Sequence, residues 1–142
     1  AGDEAVLAAG GQAVILRTSW VYAARGANFM KTMLRLADER DSLWVVGDQV
    51  GAPTSAELLA DVAAQVLKQM WGNAGLRGVY HCAAAGETSW HGYASFVIGE
   101  ARRLGAPLKV DAANIVAITT ADYPTPAARP AGAACGARLP AW

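Results

Sequence analysis

Apolar residues in this chain fall into short unbroken runs, separated by longer stretches in which they recur every three or four positions. The runs are Ala13-Val14-Ile15-Leu16, Leu43-Trp44-Val45-Val46, Gly78-Val79-Tyr80-His81-Cys82 and Ile115 to Ile118. Their shortness and continuity predict strands covered on both faces in a parallel sheet. The intervening stretches predict helices. Glu4 to Ala9 reads as a helix end closed by Gly10-Gly11, because residues without Cβ take the left-handed conformation that a helix terminus favours. Asn28 is placed to cap a helix through Lys31, Leu34 and Ala37, with Phe29, Met33, Leu34 and Leu36 at helical spacing and Arg35 and Glu39 one turn apart outside. Thr54 or Ser55 opens the next helix, which carries Glu57 in its first turn, an inward stripe of Leu58, Leu59, Val62, Val66 and Leu67, and an end near Trp71-Gly72. Thr88 or Ser89 opens a last one, with Tyr93, Phe96, Val97 and Ala101 inward and Gly105-Ala106-Pro107 closing it.

Strand and helix thus alternate about four times with short connections, which predicts a layered α/β domain with mostly parallel pairing. The first strand comes late for a free-standing doubly wound fold, which opens with a strand and a glycine-rich turn. Ala1-Gly2-Asp3-Glu4 carries neither an initiator Met nor a basic leader, so the expectation is a cut inside a longer gene. From Tyr123 the composition shifts to Pro124, Pro126, Pro130 and Pro140 among alanines and glycines, and residues 123–142 are expected to form an irregular tail.

The composition narrows the function. With 142 residues, 54% hydrophobic and 17% charged, the chain is long enough for one core and too apolar for disorder. Twelve basic and twelve acidic residues cancel, removing the electrostatic case for nucleic acid or an anionic membrane surface as partner. Arg17, Asp38, Asp48 and Glu57 interrupt the apolar stretches before any could span a bilayer, and Cys82 and Cys135 form no C-x-x-C pair. A soluble protein of the reducing cytoplasm is expected. No G-x-G-x-x-G, phosphate loop or G-x-S-x-G is present, and His81 and His91 fall on different elements. Neither a phosphate cradle nor a hydrolase triad is therefore supported. His81, Cys82, His91 and Cys135 lack the paired spacing of a zinc site and read as structural residues.

Four segments stand out: Arg17-Thr18-Ser19-Trp20-Val21-Tyr22, Asp48-Gln49-Val50-Gly51-Ala52-Pro53-Thr54, Tyr80-His81-Cys82-Ala83-Ala84-Ala85-Gly86-Glu87-Thr88-Ser89-Trp90, and Tyr123-Pro124-Thr125-Pro126-Ala127-Ala128-Arg129-Pro130. In this order, with the Asn28 to Arg35 helix between the first two, they resemble the dTDP-4-dehydrorhamnose reductase family of extended short-chain dehydrogenase/reductases. The resemblance runs from Ala1 to about Pro130. It implies that residues 1–142 form a single fragment: the last strands and helices of a Rossmann-like domain together with the substrate-binding region, the nucleotide-binding half lying upstream. It also implies NADPH or NADH as cofactor, dTDP-4-dehydro-L-rhamnose as substrate, and a possible homodimer.

Ligands of open α/β sheets sit at the carboxyl ends of parallel strands, where Thr18 and Ser19 would border the nicotinamide and Trp20 would offer the sugar a flat apolar wall with one N–H donor. Gln49, Pro53 and Thr54 would belong to a substrate loop, or else to a turn and helix cap. Asn28 is divided in the same way between cap and substrate contact. Arg129 would meet a diphosphate through paired N–H donors, or stand solvated on the tail. Glu57 matches a carboxylate that holds Mg²⁺ in some members, or it simply favours a helix N-terminus.

The family's hydride transfer relies on a Tyr-x-x-x-Lys pair, whose tyrosine gives the carbonyl its proton. Here the residues four positions after Tyr22, Tyr80, Tyr93 and Tyr123 are Gly26, Ala84, Val97 and Ala127, so the chain carries no catalytic residue of this kind. The isolated chain is expected to be inactive, and marginal or self-associating. The segment Ala131 to Ala137 before Leu139-Pro140-Ala141-Trp142 is shorter than the family's closing helix. The rival reading is a non-catalytic binding or regulatory protein on the same fold, as the regulatory β subunit of methionine adenosyltransferase resembles these reductases. A non-functional gene remnant is the third.

Overall fold

A computed structural model describes residues 2–123. Helix α1 (Gly2–Ala8) leads to β1 (Val14–Arg17) and the two-residue strand β2 (Val21–Tyr22). Helix α2 (Phe29–Glu39), β3 (Leu43–Val46), and the short strands β4 (Val50–Gly51) and β5 (Thr54–Ser55) follow. Then come α3 (Ala56–Met70), β6 (Gly78–His81), β7 (Thr88–Ser89), α4 (Trp90–Arg103) and β8 (Ile115–Ile118), with 3₁₀ turns at Ala74–Leu76, Ala112–Asn114 and Thr120–Asp122. The expected α/β alternation is present, and no described helix is long and apolar enough to cross a membrane.

Strands pair two by two. β1 runs parallel to β6 with Val14 beside Gly78, β2 parallel to β5, and β3 parallel to β8 with Leu43 beside Ile115. The exception to parallel pairing is β4, which is antiparallel to β7. The second, fourth, fifth and seventh strands escape the sequence because two residues cannot display a period.

The caps resolve as local chemistry dictates. Asn28 Oδ1 accepts the Lys31 amide at 3.1 Å, Ser55 Oγ accepts that of Leu58 at 3.1 Å, and Ser89 Oγ accepts that of Gly92 at 3.0 Å. Ser55 and Ser89, rather than Thr54 and Thr88, therefore satisfy the open amides of α3 and α4. Arg35 spans one turn to both oxygens of Glu39, at 3.0 and 2.8 Å, as expected of an exposed pair.

The core lies between α2, α4 and the β3/β8 pair. Met33, Ala37, Leu43, Val45, Ala94, Ile98, Val110 and Ile115 form one buried cluster, with Phe29, Leu36, Trp90 and Leu108 packed against it. The Ala37 carbonyl accepts the amides of Lys109 and Val110 at 3.0 and 3.1 Å, which fastens the chain after α4 beneath α2. Two expected stripes are corrected. Phe96 is exposed, because α4 turns Tyr93, Ala94, Val97 and Ile98 to the core instead. Leu58 and Leu67 are exposed as well, and α3 buries no residue fully. Val62 and Val66 of α3 instead line an open apolar cleft with Val14, Leu16, Gln69, Leu76 and Tyr80. None of these residues belongs to the predicted site.

Candidate functional site

The site is built where β1 ends and the backbone turns sharply. Trp20 has φ +45°, the one left-handed non-glycine residue among those described. Such a conformation costs on the order of 1–3 kcal/mol and persists where the surroundings over-determine it. They do so here. The Trp20 carbonyl accepts the Thr54 amide at 3.2 Å, and the neighbouring Ser19 hydroxyl donates to the Ala52 carbonyl at 3.0 Å. The Thr54 hydroxyl donates to that same carbonyl at 3.1 Å and accepts the Ala84 amide at 3.2 Å. The first three of the four sequence segments are thereby tied into one cluster.

The indole of Trp20, half-buried, lies face to face on that of Trp90, with ring centroids 3.5 Å apart and planes inclined by 13°. Phe29 leans on the far side of this pair at 4.4 Å from Trp90, and Tyr93 follows at 5.6 Å from Phe29 and 6.3 Å from Tyr22. Five aromatic rings thus connect the strand end to the core. Tyr93 is buried, its hydroxyl finds no partner among the described residues, and burial, helped by the nearby Tyr22, pushes its phenol above the ordinary range.

Gln49 is 8% exposed and joins the aromatic pair to the end of the described chain. Its Oε1 accepts from Trp90 Nε1 at 3.3 Å, and its Nε2 donates to Thr120 Oγ1 at 3.0 Å. The Thr120 amide and hydroxyl in turn donate to the Asp48 carboxylate, the hydroxyl at 2.7 Å. These bonds hold the Asp48 carboxyl below its ordinary value of 3.8, the hydroxyl contributing most and the amide next. Asp122 is likewise lowered, by the amide and then the hydroxyl of Thr119.

The residues singled out in the sequence therefore differ in what they can still do. Thr18 stands exposed at the carboxyl end of β1, while the Ser19 hydroxyl is committed to Ala52. Asn28 acts as a cap: its Oδ1 accepts from Lys31 and its Nδ2 donates to the Ala23 carbonyl at 2.7 Å. Thr54 is fully buried with its hydroxyl engaged on both sides, whereas Pro53 beside it is half-buried. Glu57 is exposed in the first turn of α3, and no group of three His, Cys, Asp or Glu gathers among the described residues. Arg129 lies outside the described residues.

His91 Nε2 donates to the Ile115 carbonyl, 3.0 Å away, as a structural residue would, and burial raises the Cys82 thiol. Trp90, Asp48, Gly51 and Thr120 were not singled out as site residues. Trp90 had a signal in its place directly after a capping serine, whereas Thr120 had none.

Known proteins resemble this arrangement closely. A family described as the RmlD substrate binding domain matches residues 1–137. The dTDP-4-dehydrorhamnose reductase of Escherichia coli K12 is 49% identical over 130 residues, covering 92% of this chain and 43% of the relative. That of Burkholderia thailandensis is 42% identical over 154 residues, covering 99% of this chain and 52% of the relative. The crystal structure of the Bacillus anthracis reductase in complex with NADP superposes with a TM-score of 0.75 at 33% identity, over 94% of this chain and 43% of that one. The chain spans about half the length of the curated relatives it matches, or somewhat less. On this match, and with strands and helices alternating as expected, the chain belongs to the family described as the RmlD substrate binding domain.

Proposed function

We propose that this chain is the substrate-gripping portion of a dTDP-4-dehydrorhamnose reductase, which reduces dTDP-4-dehydro-L-rhamnose to dTDP-L-rhamnose with NADPH or NADH. The observation that carries the reading is the stacked pair of Trp20 and Trp90 at the carboxyl end of a parallel strand, where open α/β sheets bind ligands. A half-buried indole held face-on offers a pyranose ring a flat apolar surface, and the strained backbone at Trp20 sets its angle. A bound nicotinamide supplies the hydride. Thr18, exposed beside Trp20, fits the border of that ring with a hydroxyl. Pro53 stiffens the loop that closes against Trp20, and Arg129 is assigned to the diphosphate through its paired N–H donors. Ser19, Asn28 and Thr54 shape the site through the backbone carbonyls and amides they hold.

The proton for the sugar oxygen comes, in this reading, from a Tyr-x-x-x-Lys pair in the part of the relatives that this chain does not match. The test is a chimera in which the unmatched part of the Escherichia coli relative is joined to this chain. NADPH oxidation dependent on dTDP-4-dehydro-L-rhamnose is expected, and Trp20→Ala should raise KM about tenfold, equivalent to ~1.4 kcal/mol of binding. A folded chimera that binds NADPH yet never turns over this sugar would overturn the proposal.

A further inference from the structure

We propose that Asp48 and Thr120 are positioning residues for the nucleotide-sugar wall, acting through Gln49 to fix the direction of the Trp90 indole N–H and so the attitude of the ring on which Trp20 stacks. The inference rests on the reading of the wall given above and adds to it a device that sets its geometry.

The argument is one of hydrogen-bond polarity. An ionised carboxylate can only accept. Asp48 takes the Thr120 amide at 3.0 and 2.9 Å on its two oxygens and the Thr120 hydroxyl at 2.7 Å. Having given its single proton to Asp48, Thr120 Oγ1 has only acceptor capacity left, and the Gln49 amide must present its NH₂ there, at 3.0 Å. That orientation turns the Gln49 carbonyl the other way, onto Trp90 Nε1, at 3.3 Å. Each member has one allowed sense. Reversing the Gln49 amide would set an NH₂ against the indole N–H and a carbonyl against a hydroxyl whose proton is already committed to Asp48. Gln49 is 8% exposed, so water is poorly placed to repair such a mismatch. Trp90 also packs against the core through Phe29, which leaves its N–H end as the part this chain of bonds can steer.

Thr120 lies in a half-exposed 3₁₀ turn, where truncation leaves the core untouched. The experiment follows the indole N–H resonances of the full chain by ¹H–¹⁵N spectroscopy, with the Trp90 signal assigned by its loss in Trp90→Phe and with dTDP-L-rhamnose as the probe ligand. Thr120→Ala is expected to shift the Trp90 signal, with that of the stacked Trp20, and to weaken dTDP-L-rhamnose about tenfold, one hydrogen-bond's worth of orientation. Thr120→Ser should restore both, since it keeps the hydroxyl. Asp48→Asn should shift the same resonance as Thr120→Ala, and gives a second route should the latter fold poorly. A loss of dTDP-L-rhamnose affinity in Trp90→Phe that Thr120→Ala does not share would overturn the positioning role while leaving the wall intact. Equal dTDP-L-rhamnose affinity in wild type and Trp90→Phe would overturn the wall itself, and this proposal with it.

Discussion

Gly51 lies so close beneath Trp20 that a Cβ on it would fall 2.5 Å from Cε2 and 2.8 Å from both Cζ2 and Nε1 of the indole. No side chain fits between this loop and the ring. The requirement concerns space and not backbone freedom, since Gly51 is absent from the positive-φ glycines. The stack of Trp20 on Trp90 thus depends on an absent methyl group one strand away.

Gly51→Ala should therefore push the Trp20 ring off Trp90 and cost about 1–3 kcal/mol through overpacking. In Trp20→Ala the obstruction is gone, so adding Gly51→Ala should cost almost nothing. Denaturant unfolding of the two single variants and the double variant measures this coupling directly, and additive losses would show that the ring and the glycine do not meet.

Acid should loosen the turn that carries Thr120. The Asp48 and Asp122 carboxyls are held below their ordinary value of 3.8 in the folded chain. A depressed folded pKa contributes stability that is present above the unfolded value and lost as pH falls through the folded one. The Thr120–Asp48 bonds should accordingly be intact at neutral pH and be lost only as pH falls below the ordinary 3.8, through the lowered folded value. Tryptophan fluorescence followed downward from neutral pH should report the release, and Asp48→Asn should flatten that step.

Ile98 is fully buried at the centre of the cluster formed by α2, α4, β3 and β8. Ile98→Ala should destabilise the chain by about 2–5 kcal/mol, and Ile98→Val by about 0.5–1.5 kcal/mol. Thermal unfolding of both variants checks the ratio, and comparable losses would place the side chain outside a close-packed environment.

Tyr93 gives the opposite sign. Its hydroxyl is buried without a partner among the described residues, so Tyr93→Phe should raise stability by roughly 1 kcal/mol. Spectrophotometric titration should find this tyrosine ionising above the ordinary 10.0, because burial disfavours the phenolate and the neighbouring Tyr22 adds to the effect. A stability loss in the phenylalanine variant would reveal an acceptor for the hydroxyl.

What the sequence discloses is what short range decides. Asn28 can be read as a cap because the amide it serves is three residues away, and the strands at Val14, Leu43, Gly78 and Ile115 announce themselves by continuity. Thr54 and Ser55 are equivalent as hydroxyls. The choice between them falls to tertiary contacts, since the Thr54 hydroxyl is held between the Ala52 carbonyl and the Ala84 amide and leaves the cap to Ser55. The misjudged faces of α3 and α4, at Leu58, Leu67 and Phe96, have a related cause: periodicity shows that a helix has an apolar side but not which neighbour it meets. Trp20 can be read as a candidate wall because it follows a strand end closely. The bonds around its partner cannot, for Thr120 and Asp48 are 72 positions apart and Thr120 lies in none of the four segments.

That separation has a consequence for how the molecule comes into being. Trp20, Gln49 and Trp90 leave the ribosome ahead of β8, and the pairing of β8 with β3 is what brings Thr120 to Asp48. During synthesis the two indoles can meet early, but nothing yet dictates the direction of the Gln49 amide. Closure of so distant a contact is among the slower events in folding, since loop entropy must be overcome before the contact is made. The gripping surface is therefore finished from the chain's far end, and a nascent protein halted short of Thr120 would hold its tryptophans without aiming them.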